Sequence, residues 1–454
     1  MNHLADRSKV AKRPHRADKV RLLVFEILTE VNHREGYSNL LLPEALRKSD
    51  FDPRDRAFAT ELLYGTLRLQ GRHDFLLKQV IDRPLEELHS GIVDVARMGV
   101  HQIFEMRVPP HAAVSESVEV ARKVLGESKA SYVNAILRKL ASSPLEEWLV
   151  SAENMEDVIS KLAIKHSHPE WIVSAYFDLL KDLNEVEREL KSNNQPAKPT
   201  YVTWPGKSSP ADFAALGGKP TSFSPYGALL DEVPTNVSLI KSRKAGVQDE
   251  GSQLVAHIFY QAARTGKSML DLCAGPGGKA ALLSHLALQD QKNFVANEIS
   301  TQRAELVKKV IGSGIVWIGD GRSIVERNTT FDSVIADVPC TGIGALRRRP
   351  EVRWRRNLSD LRALSELQSE LSDAAISVLN RDGIFGYATC SPHFAETSAQ
   401  ISMIVKRYPN LEQIDVQPFL PSGLNGAVRD KALSLWTGRH NTDSMFLALF
   451  RKRG

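Results

Sequence analysis

Cysteine is scarce in this chain, and its spacing excludes the usual structural roles of that residue. The 454 residues include three cysteines, at positions 273, 340 and 390. An odd number of widely separated cysteines cannot form a disulfide framework, and without a CxxC pair a zinc site is not expected. The thiols are therefore expected to be reduced and to hold no metal.

Long apolar runs are also missing. No run reaches the roughly 18 residues that a membrane-spanning helix needs, and the segment MNHLADRSKVAKRPHRADK lacks the apolar core of a signal peptide. Hydrophobic residues make up 42% of the chain and charged residues 25%, which is typical of soluble globular proteins. These features predict a cytoplasmic protein that does not enter a membrane, and a monomer is expected.

Positive charge is clustered, although the net charge is only +5. Residues 7–21 carry seven Lys or Arg against one Asp, and LRRRPEVRWRR (346–356) carries six Arg. Clustered cations suit a polyanion such as RNA, although a solvated tail and loop are the alternatives. The first cluster lies in a basic tail, residues 1–18, that is expected to be disordered. In the second, Arg347 to Arg356 are expected to clamp phosphates.

The length predicts two or three domains. Apolar residues at 20, 23, 24, 27, 28 and 31 have helical spacing, and with similar segments they predict an all-α domain over residues 19–145. A Pro/Gly/Ser-rich stretch predicts a small α+β connecting module over residues 146–245. Strand and helix patterns alternate over residues 246–454, which predicts an α/β, mostly parallel, doubly wound sheet.

Five apolar segments predict the buried strands of that sheet, and ligands bind at the carboxyl ends of such strands. The segments are SMLDLC, NFVANE, IVWIGD, FDSVIADV and GIFGYAT.

DLCAGPGGKA (271–280) joins the first of these strands to a helix. Its glycines, Gly275, Gly277 and Gly278, permit positive φ and close approach of a ligand. Glu298 ends the next strand, where a carboxylate can hold ribose hydroxyls. This turn is compatible with a nicotinamide or flavin dinucleotide, with S-adenosylmethionine, or with a tight turn that binds nothing.

The later strand ends favour methyl transfer to a cytosine. Asp320 can accept a hydrogen bond from an adenine amino group, and Asp337, Cys340 and Cys390 follow the last two predicted strands. Hydride transfer does not require these residues. A thiolate that adds to carbon 6 of cytosine makes carbon 5 nucleophilic, and a carboxylate near N3 favours the addition. An amino-methylating enzyme would have a polar-Pro-Pro-aromatic run at the position of DVPC.

The motifs DLCAGPGGK, NE, GD, ADVPCTG, RRRPEVRW and ATCSP, in this order, resemble the RNA 5-methylcytosine methyltransferases of the Nol1/Nop2/Sun family. The whole chain resembles the bacterial RsmB/Sun type, which methylates 16S ribosomal RNA. Its N-terminal portion, about residues 19–140, is similar to the RNA-binding factor NusB. The resemblance implies a Rossmann-like class I methyltransferase preceded by a NusB-like domain.

The resemblance also implies the role of each site residue. Cys390 attacks carbon 6, Cys340 assists product release, and Asp337 holds the cytosine edge. The cofactor is S-adenosylmethionine, and the residues expected to line its site are Cys273, Ala274, Gly275, Pro276, Gly277, Gly278, Lys279, Glu298, Arg303, Asp320 and Asp337. One departure is that Glu396 is followed by Thr397, where the family often has Glu-Asn.

The function implied is S-adenosylmethionine-dependent methylation of carbon 5 of a cytosine in 16S ribosomal RNA, free or in an early assembly intermediate. The alternative is an RNA-binding assembly or antitermination factor with an inactive methyltransferase fold. A dinucleotide oxidoreductase is a third hypothesis. The pair Cys340 and Cys390 favours the enzyme, because an inactive descendant has no chemical need for both.

Overall fold

The computed structural model of the chain describes residues 17–232 and 234–453. The predicted basic tail falls outside the described residues, apart from Ala17 and Asp18. One compact unit comprises the described residues up to His168 together with Arg349–Glu351, and the other comprises Pro169–Arg348 and the residues from Val352 onward. In the described part of the chain, no helix has both the length and the apolar character needed to cross a membrane.

The regular elements described in the first unit are all helices, which confirms the predicted all-α fold. Asp18 begins the first helix by accepting a hydrogen bond from the Arg21 N–H, and Val24 and Leu28 bury one face of that helix completely. The helices are α1 (Lys19–His33), α2 (Ser38–Lys48), α3 (Pro53–Arg68), α4 (Gln70–Lys78), α5 (Ser90–Phe104), α6 (Pro110–Leu125), α7 (Glu127–Leu140), α8 (Leu145–Glu153) and α9 (Val158–His166).

The second unit combines helices with two sheets. Its helices are α10 (Glu170–Leu180), α11 (Leu183–Asn193), α12 (Pro210–Ala214), α13 (Ser238–Lys241), α14 (Glu250–Ala262), α15 (Gly278–Gln289), α16 (Thr301–Val310), α17 (Val352–Arg355), α18 (Leu358–Ser377), α19 (Ser398–Arg407) and α20 (Thr437–His440). Its strands are β1 (Thr200–Thr203), β2 (Lys219–Pro220), β3 (Gly227–Leu229), β4 (Ala245–Val247), β5 (Ser268–Asp271), β6 (Asn293–Glu298), β7 (Ile315–Ile318), β8 (Phe331–Asp337), β9 (Leu379–Thr389), β10 (Leu411–Ile414), β11 (Val428–Arg429), β12 (Ala432–Ser434) and β13 (Phe446–Lys452).

The smaller sheet is antiparallel, with the strand order β2-β3-β1-β4. Tyr201, Phe213 and Ala228 are fully buried and pack with Val237 and Ala245 in a small core of their own. The sheet and its short helices have the α+β character predicted for the connecting module. The boundaries at residues 146 and 245 stay predictions.

The larger sheet has the strand order β11-β12-β13-β9-β8-β5-β6-β7, and β10 pairs with β13. The five predicted strands, β5 to β9, form its parallel part. Strand β13 lies antiparallel to β9 and begins an extension that was not predicted. The strand order reverses beside β5, so the carboxyl ends of β5 and β8 border the crevice where such sheets bind ligands. This arrangement confirms the predicted fold class.

Gly386 sets the distance between β9 and the helix packed on it. A Cβ atom at this position would lie 2.6 Å from Cδ2 of Phe259, a fully buried side chain in α14. Real Cβ contacts are never this short, so only glycine permits the observed packing.

Gly386→Ala is therefore expected to lower the free energy of unfolding by about 1–3 kcal/mol, because overpacking forces the core to shift. Calorimetric melting temperatures would measure the loss. Gly319→Ala is the matched control, because an added Cβ there meets only the Arg327 side chain, at 3.6 Å. Equal melting temperatures for the two variants would contradict this account of the packing.

Candidate functional site

Cys340 and Cys390 meet at the carboxyl ends of β8 and β9. These strands are parallel neighbours in which Asp337 is in register with Ala388, and the Val338 N–H donates to the Ala388 carbonyl. The loops that follow the two strands therefore run side by side. The two Sγ atoms lie 3.3 Å apart, within hydrogen-bond distance for thiols.

Lys279 and Asp337 form a buried ion pair in the same site. Lys279 belongs to the first turn of α15 and is 9% exposed, and its Nζ donates to Oδ2 of Asp337 at 2.8 Å. Burial opposes the charge of Lys279, but the charge and hydrogen bond of Asp337, together with Cys390, raise the pKa of Lys279 above its ordinary value. The site thus keeps one ammonium group beside the sulfur of Cys390.

The two thiols have different electrostatic surroundings. The hydrogen bond with Cys390, followed by burial and by the charges of Cys390, Glu396 and Asp337, raises the pKa of the Cys340 thiol well above its ordinary value. In contrast, the positive charge of Lys279 interacts favourably with a negative charge on Cys390. The Lys279 ammonium group thus favours a negative charge on Cys390, whereas burial and the nearby carboxylates oppose one on Cys340.

The glycines of the turn after β5 have distinct roles. Gly275 has φ +58°, and a Cβ atom there would meet nothing closer than 4.0 Å, which leaves space for a ligand. Gly277 has φ +100°, and a Cβ atom there would lie 2.9 Å from the Val310 side chain in α16. Gly275 thus leaves space beside the turn, whereas Gly277 allows the turn to pack closely against α16.

Ala274, Pro276 and Cys273 belong to the same turn. The Ala274 N–H donates to the Asn297 carbonyl, which ties the turn to β6, and Pro276 precedes Gly277. Burial, followed by the surrounding carboxylates, raises the pKa of the Cys273 thiol well above its ordinary value. Cys273 packs against the core below the sheet edge, so it contributes contact surface rather than a reactive thiolate.

Asp271, the last residue of β5, is a buried carboxyl group that the sequence interpretation missed. It is 1% exposed, and neither oxygen makes a hydrogen bond of good geometry with the described residues, although the nearby backbone N–H of Cys273 acts to lower its pKa. Burial, followed by the charge of Asp337, raises the pKa of Asp271 to about 7. The only signal in the sequence is an acidic residue at the end of a buried strand.

Gln248 is a second acceptor of this kind. Its Oε1 is buried without a partner in the described part of the chain, and its amide lies 3.8 Å from the Cβ position of Gly278. Buried acceptor oxygens normally have a hydrogen-bond partner. A ligand that carries N–H donors or positive charge would provide that partner for both oxygens. The α-ammonium group of S-adenosylmethionine has both properties, so the residues present fit that cofactor.

The predicted ribose and adenine residues are already engaged in ion pairs. The buried carboxylate of Glu298 accepts a hydrogen bond from the Ser300 N–H at 2.8 Å and pairs with the half-exposed Arg303 at 2.6 Å. Asp320, after β7, accepts hydrogen bonds from the N–H and the guanidinium of Arg322. Their roles at the cofactor stay predictions.

The predicted phosphate clamp is wrong for three of its arginines. Arg347 and Arg348 form ion pairs with Asp249 and Asp443. Arg353 is fully buried and donates to Oδ1 of Asn194. These guanidinium groups hold the fold together because each has a fixed partner inside its unit, which the charge pattern alone does not reveal.

Family models match both parts of the chain. The model described as 16S rRNA methyltransferase RsmB/F matches residues 259–451, and the model of the NusB family matches residues 18–142. The first match contains the strand-end site, and the second contains the helices of the first unit up to α7.

Relatives of similar length share this arrangement. A putative methyltransferase of Mycobacterium tuberculosis is 38% identical over 444 residues, which cover 96% of this chain and 97% of the relative. A protein of Bacillus subtilis named probable ribosomal RNA small subunit methyltransferase B is 27% identical, with 96% and 99% of the two chains covered. The similarity therefore extends over both units rather than over one module.

Solved structures show the same fold. The crystal structure of PH0851 is 21% identical, covers 95% of this chain and 98% of its own, and superimposes with a TM-score of 0.80. The crystal structure of NSun6 from Pyrococcus horikoshii with SFG, an S-adenosylmethionine analogue, is 16% identical, with coverage of 63% and 98% and a TM-score of 0.54. The chain belongs to the RsmB/F family of S-adenosylmethionine-dependent rRNA methyltransferases and carries an N-terminal NusB domain.

Proposed function

We propose that this chain methylates carbon 5 of a cytosine in 16S ribosomal RNA, through a covalent bond between Cys390 and carbon 6 of the base. One observation carries the proposal: the sulfurs of Cys340 and Cys390 lie 3.3 Å apart, beside the ion pair of Lys279 and Asp337. Two thiols suit a reaction that first forms and then breaks a bond to sulfur. The name of the Bacillus subtilis relative supports the small ribosomal subunit as the source of the RNA.

Cys390 is the nucleophile in this mechanism. Its thiolate adds to carbon 6, and the electrons of the 5,6 double bond shift so that carbon 5 becomes nucleophilic. Lys279 stabilises the thiolate before the attack, because its buried ammonium group attracts the negative charge of Cys390. Asp337 holds the amino and N3 edge of the base and favours the electron shift.

S-adenosylmethionine supplies a methyl group on a positively charged sulfur. Held by Asp271 and Gln248, it would supply that methyl group to carbon 5. The base is then saturated at carbons 5 and 6, carries one proton and one methyl group on carbon 5, and remains bonded to Cys390.

Cys340 releases the product. While Cys390 is bonded to carbon 6, its hydrogen bond and charge no longer oppose a thiolate at Cys340. Cys340 then gives its proton to solvent, and the resulting thiolate takes the proton from carbon 5. The 5,6 double bond forms again as the bond from carbon 6 to sulfur breaks, and Cys390 leaves as a thiolate. One proton reaches solvent in each cycle, which balances the replacement of hydrogen by methyl on carbon 5.

Asp271 and Gln248 complete the proposed cofactor site. Their unpaired oxygens would accept hydrogen bonds from the ammonium group of the methionine part. A neighbouring cation favours the charged form of a carboxyl group, so Asp271 would lose its proton when the cofactor binds.

The first test is the product. The purified protein, incubated with methyl-labelled S-adenosylmethionine and 16S ribosomal RNA, is expected to incorporate label, and mass spectrometry of the digested RNA should identify 5-methylcytidine. Ribosomal RNA of the large subunit is the control. An assembly factor with an inactive fold would incorporate no label, and label in N4-methylcytidine would contradict reaction at carbon 5.

The two cysteines should be separable by substitution. Cys390→Ala is expected to abolish turnover because no bond to carbon 6 can form. Cys340→Ala should leave protein covalently attached to RNA, which a denaturing gel detects, because the proton on carbon 5 remains. In the double variant no adduct should form. Loss of turnover in Cys340→Ala without an adduct would overturn this division of roles.

Cofactor binding should depend on the charge of Asp271. Asp271→Asn is expected to weaken S-adenosylmethionine binding by about tenfold, because a charge-assisted hydrogen bond becomes a neutral one. Since the pKa of Asp271 is about 7 without the cofactor and binding would favour the charged form, the affinity of the unmodified protein should rise with pH up to about pH 7 and level off above it.

Titration calorimetry across this pH range checks the prediction. The affinity of the Asp271→Asn variant should not vary in this way with pH. Asp332→Asn is the matched control, because Asp332 lies near the opposite end of β8 and accepts backbone hydrogen bonds from Lys267 and Ser268. A variant at position 271 that keeps the full pH dependence would show that another group is responsible.

A further inference from the structure

Glu396 is a buried carboxylate that joins the loops carrying the two cysteines. It ends the 3-10 helix Phe394–Glu396, shortly after Cys390, and is 0% exposed. Its Oε1 accepts a hydrogen bond from the Thr341 N–H at 2.8 Å, and its Oε2 accepts one from the Thr341 hydroxyl. A carboxylate from one loop thus holds the residue next to Cys340 in the other loop.

Gln368 in α18 also forms hydrogen bonds that hold the Cys340 loop. Its amide nitrogen donates to the Pro339 carbonyl at 2.9 Å and to Oε1 of Glu396 at 2.9 Å. Cys340 is therefore held on both sides, through the residue before it and the residue after it. Tyr387 in β9 donates to the Glu396 carbonyl at 2.8 Å, which ties the network to the strand that ends at the nucleophile.

The network also reaches the residue after Cys390. The hydroxyl of Thr341 lies 3.1 Å from the hydroxyl of Ser391. Both cysteines are thus flanked by residues that belong to one set of buried hydrogen bonds. The two loops whose sulfurs lie 3.3 Å apart are thus joined by this network.

A buried carboxylate is costly unless several donors satisfy it. Glu396 is held by three donors, and none of them is a cationic side chain. An apolar side chain would fill this space without the desolvation cost, but it would not hold the Thr341 N–H. The position therefore requires a group that accepts several hydrogen bonds at once.

We infer that Glu396 is a positioning residue for product release, which holds Cys340 within reach of carbon 5 while the base is bonded to Cys390. Carbon 5 is bonded to carbon 6, the atom that the Cys390 sulfur attacks, so a sulfur held at 3.3 Å from Cys390 lies beside the proton to be removed. Proton transfer requires such proximity. This inference rests on the proposed function.

The test separates release from attack by means of two RNA substrates. One is the unmodified RNA, and the other is the same RNA with fluorine on carbon 5 of the target cytosine. Release requires that the substituent on carbon 5 be removed as a cation, which is possible for hydrogen but not for fluorine. The reaction on the fluorinated RNA therefore stops at the covalent adduct after methyl transfer. The rate of adduct formation on the fluorinated RNA therefore reports attack and methyl transfer alone, whereas turnover on unmodified RNA also includes release.

Glu396→Ala is expected to form the fluorinated adduct at a rate within about threefold of the unmodified protein. Its turnover on unmodified RNA should fall by about 100-fold, the lower range for losing a positioned base, and a covalent adduct should accumulate. Glu396→Gln keeps one acceptor oxygen, which can still accept from the Thr341 N–H and the Gln368 amide, and should recover turnover to within about tenfold of the unmodified protein.

Two further variants keep the test decisive. Thr341→Val retains the shape of the side chain but removes its hydroxyl, so it should slow release selectively even if Glu396→Ala fails to fold. Glu189→Ala is the control for loss of a buried carboxylate, because Glu189 is 2% exposed and accepts its hydrogen bond from the Gly438 N–H, outside both cysteine loops. It should slow neither reaction selectively.

Equal losses on both RNAs for Glu396→Ala and Thr341→Val would overturn the inference, since they would indicate a general structural role. Unchanged turnover on unmodified RNA in either folded variant would also overturn it. Failure of the unmodified protein to form an adduct with the fluorinated RNA would instead contradict the proposed covalent mechanism. The two failures are therefore distinguishable.

Discussion

The distance between two sulfur atoms constrains the rest of the proposed chemistry. At 3.3 Å, Cys340 and Cys390 cannot both carry a negative charge at an acceptable free energy. The pair therefore holds one charge at a time, and the surroundings decide which sulfur carries it. Lys279 favours the charge on Cys390, whereas Glu396 and Asp337 oppose it on Cys340. This asymmetry gives the two thiols different tasks without any difference in their own chemistry.

The fold produces this distance by simple means. Parallel strands β8 and β9 end at the same edge of the sheet, in register, and each is followed at once by a loop that carries one cysteine. Gly386 lets α14 pack closely on β9. In the neighbouring loop, the Thr341 N–H donates to Glu396, and Gln368 donates to the Pro339 carbonyl. Strand register gives the approximate position of the thiols, and the polar network fixes their final separation.

The sequence was sufficient for features that depend on local pattern. Apolar runs predicted strands β5 to β9, and the residues that follow them predicted which side chains share the ligand edge. It was insufficient where the meaning of a residue depends on a distant partner. Arg347 was interpreted as a phosphate ligand because Asp249 and Asp443 are about a hundred positions away in the chain. Asp271 was overlooked because its burial without a hydrogen-bond partner is a property of the folded chain alone.

Charge balance in the site links cofactor binding to product release. Asp271, Asp337 and Glu396 bring three buried or partly buried carboxyl groups to the region, and Lys279 is the buried cation paired with one of them. An excess of negative potential would attract the positively charged sulfonium of the proposed cofactor. A cofactor that had given up its methyl group would carry a neutral thioether, and the part of the attraction that depends on the sulfonium would be absent. In the proposed reaction, the carboxylates that favour binding of the cofactor would therefore contribute less to its retention after methyl transfer, which would favour its exchange.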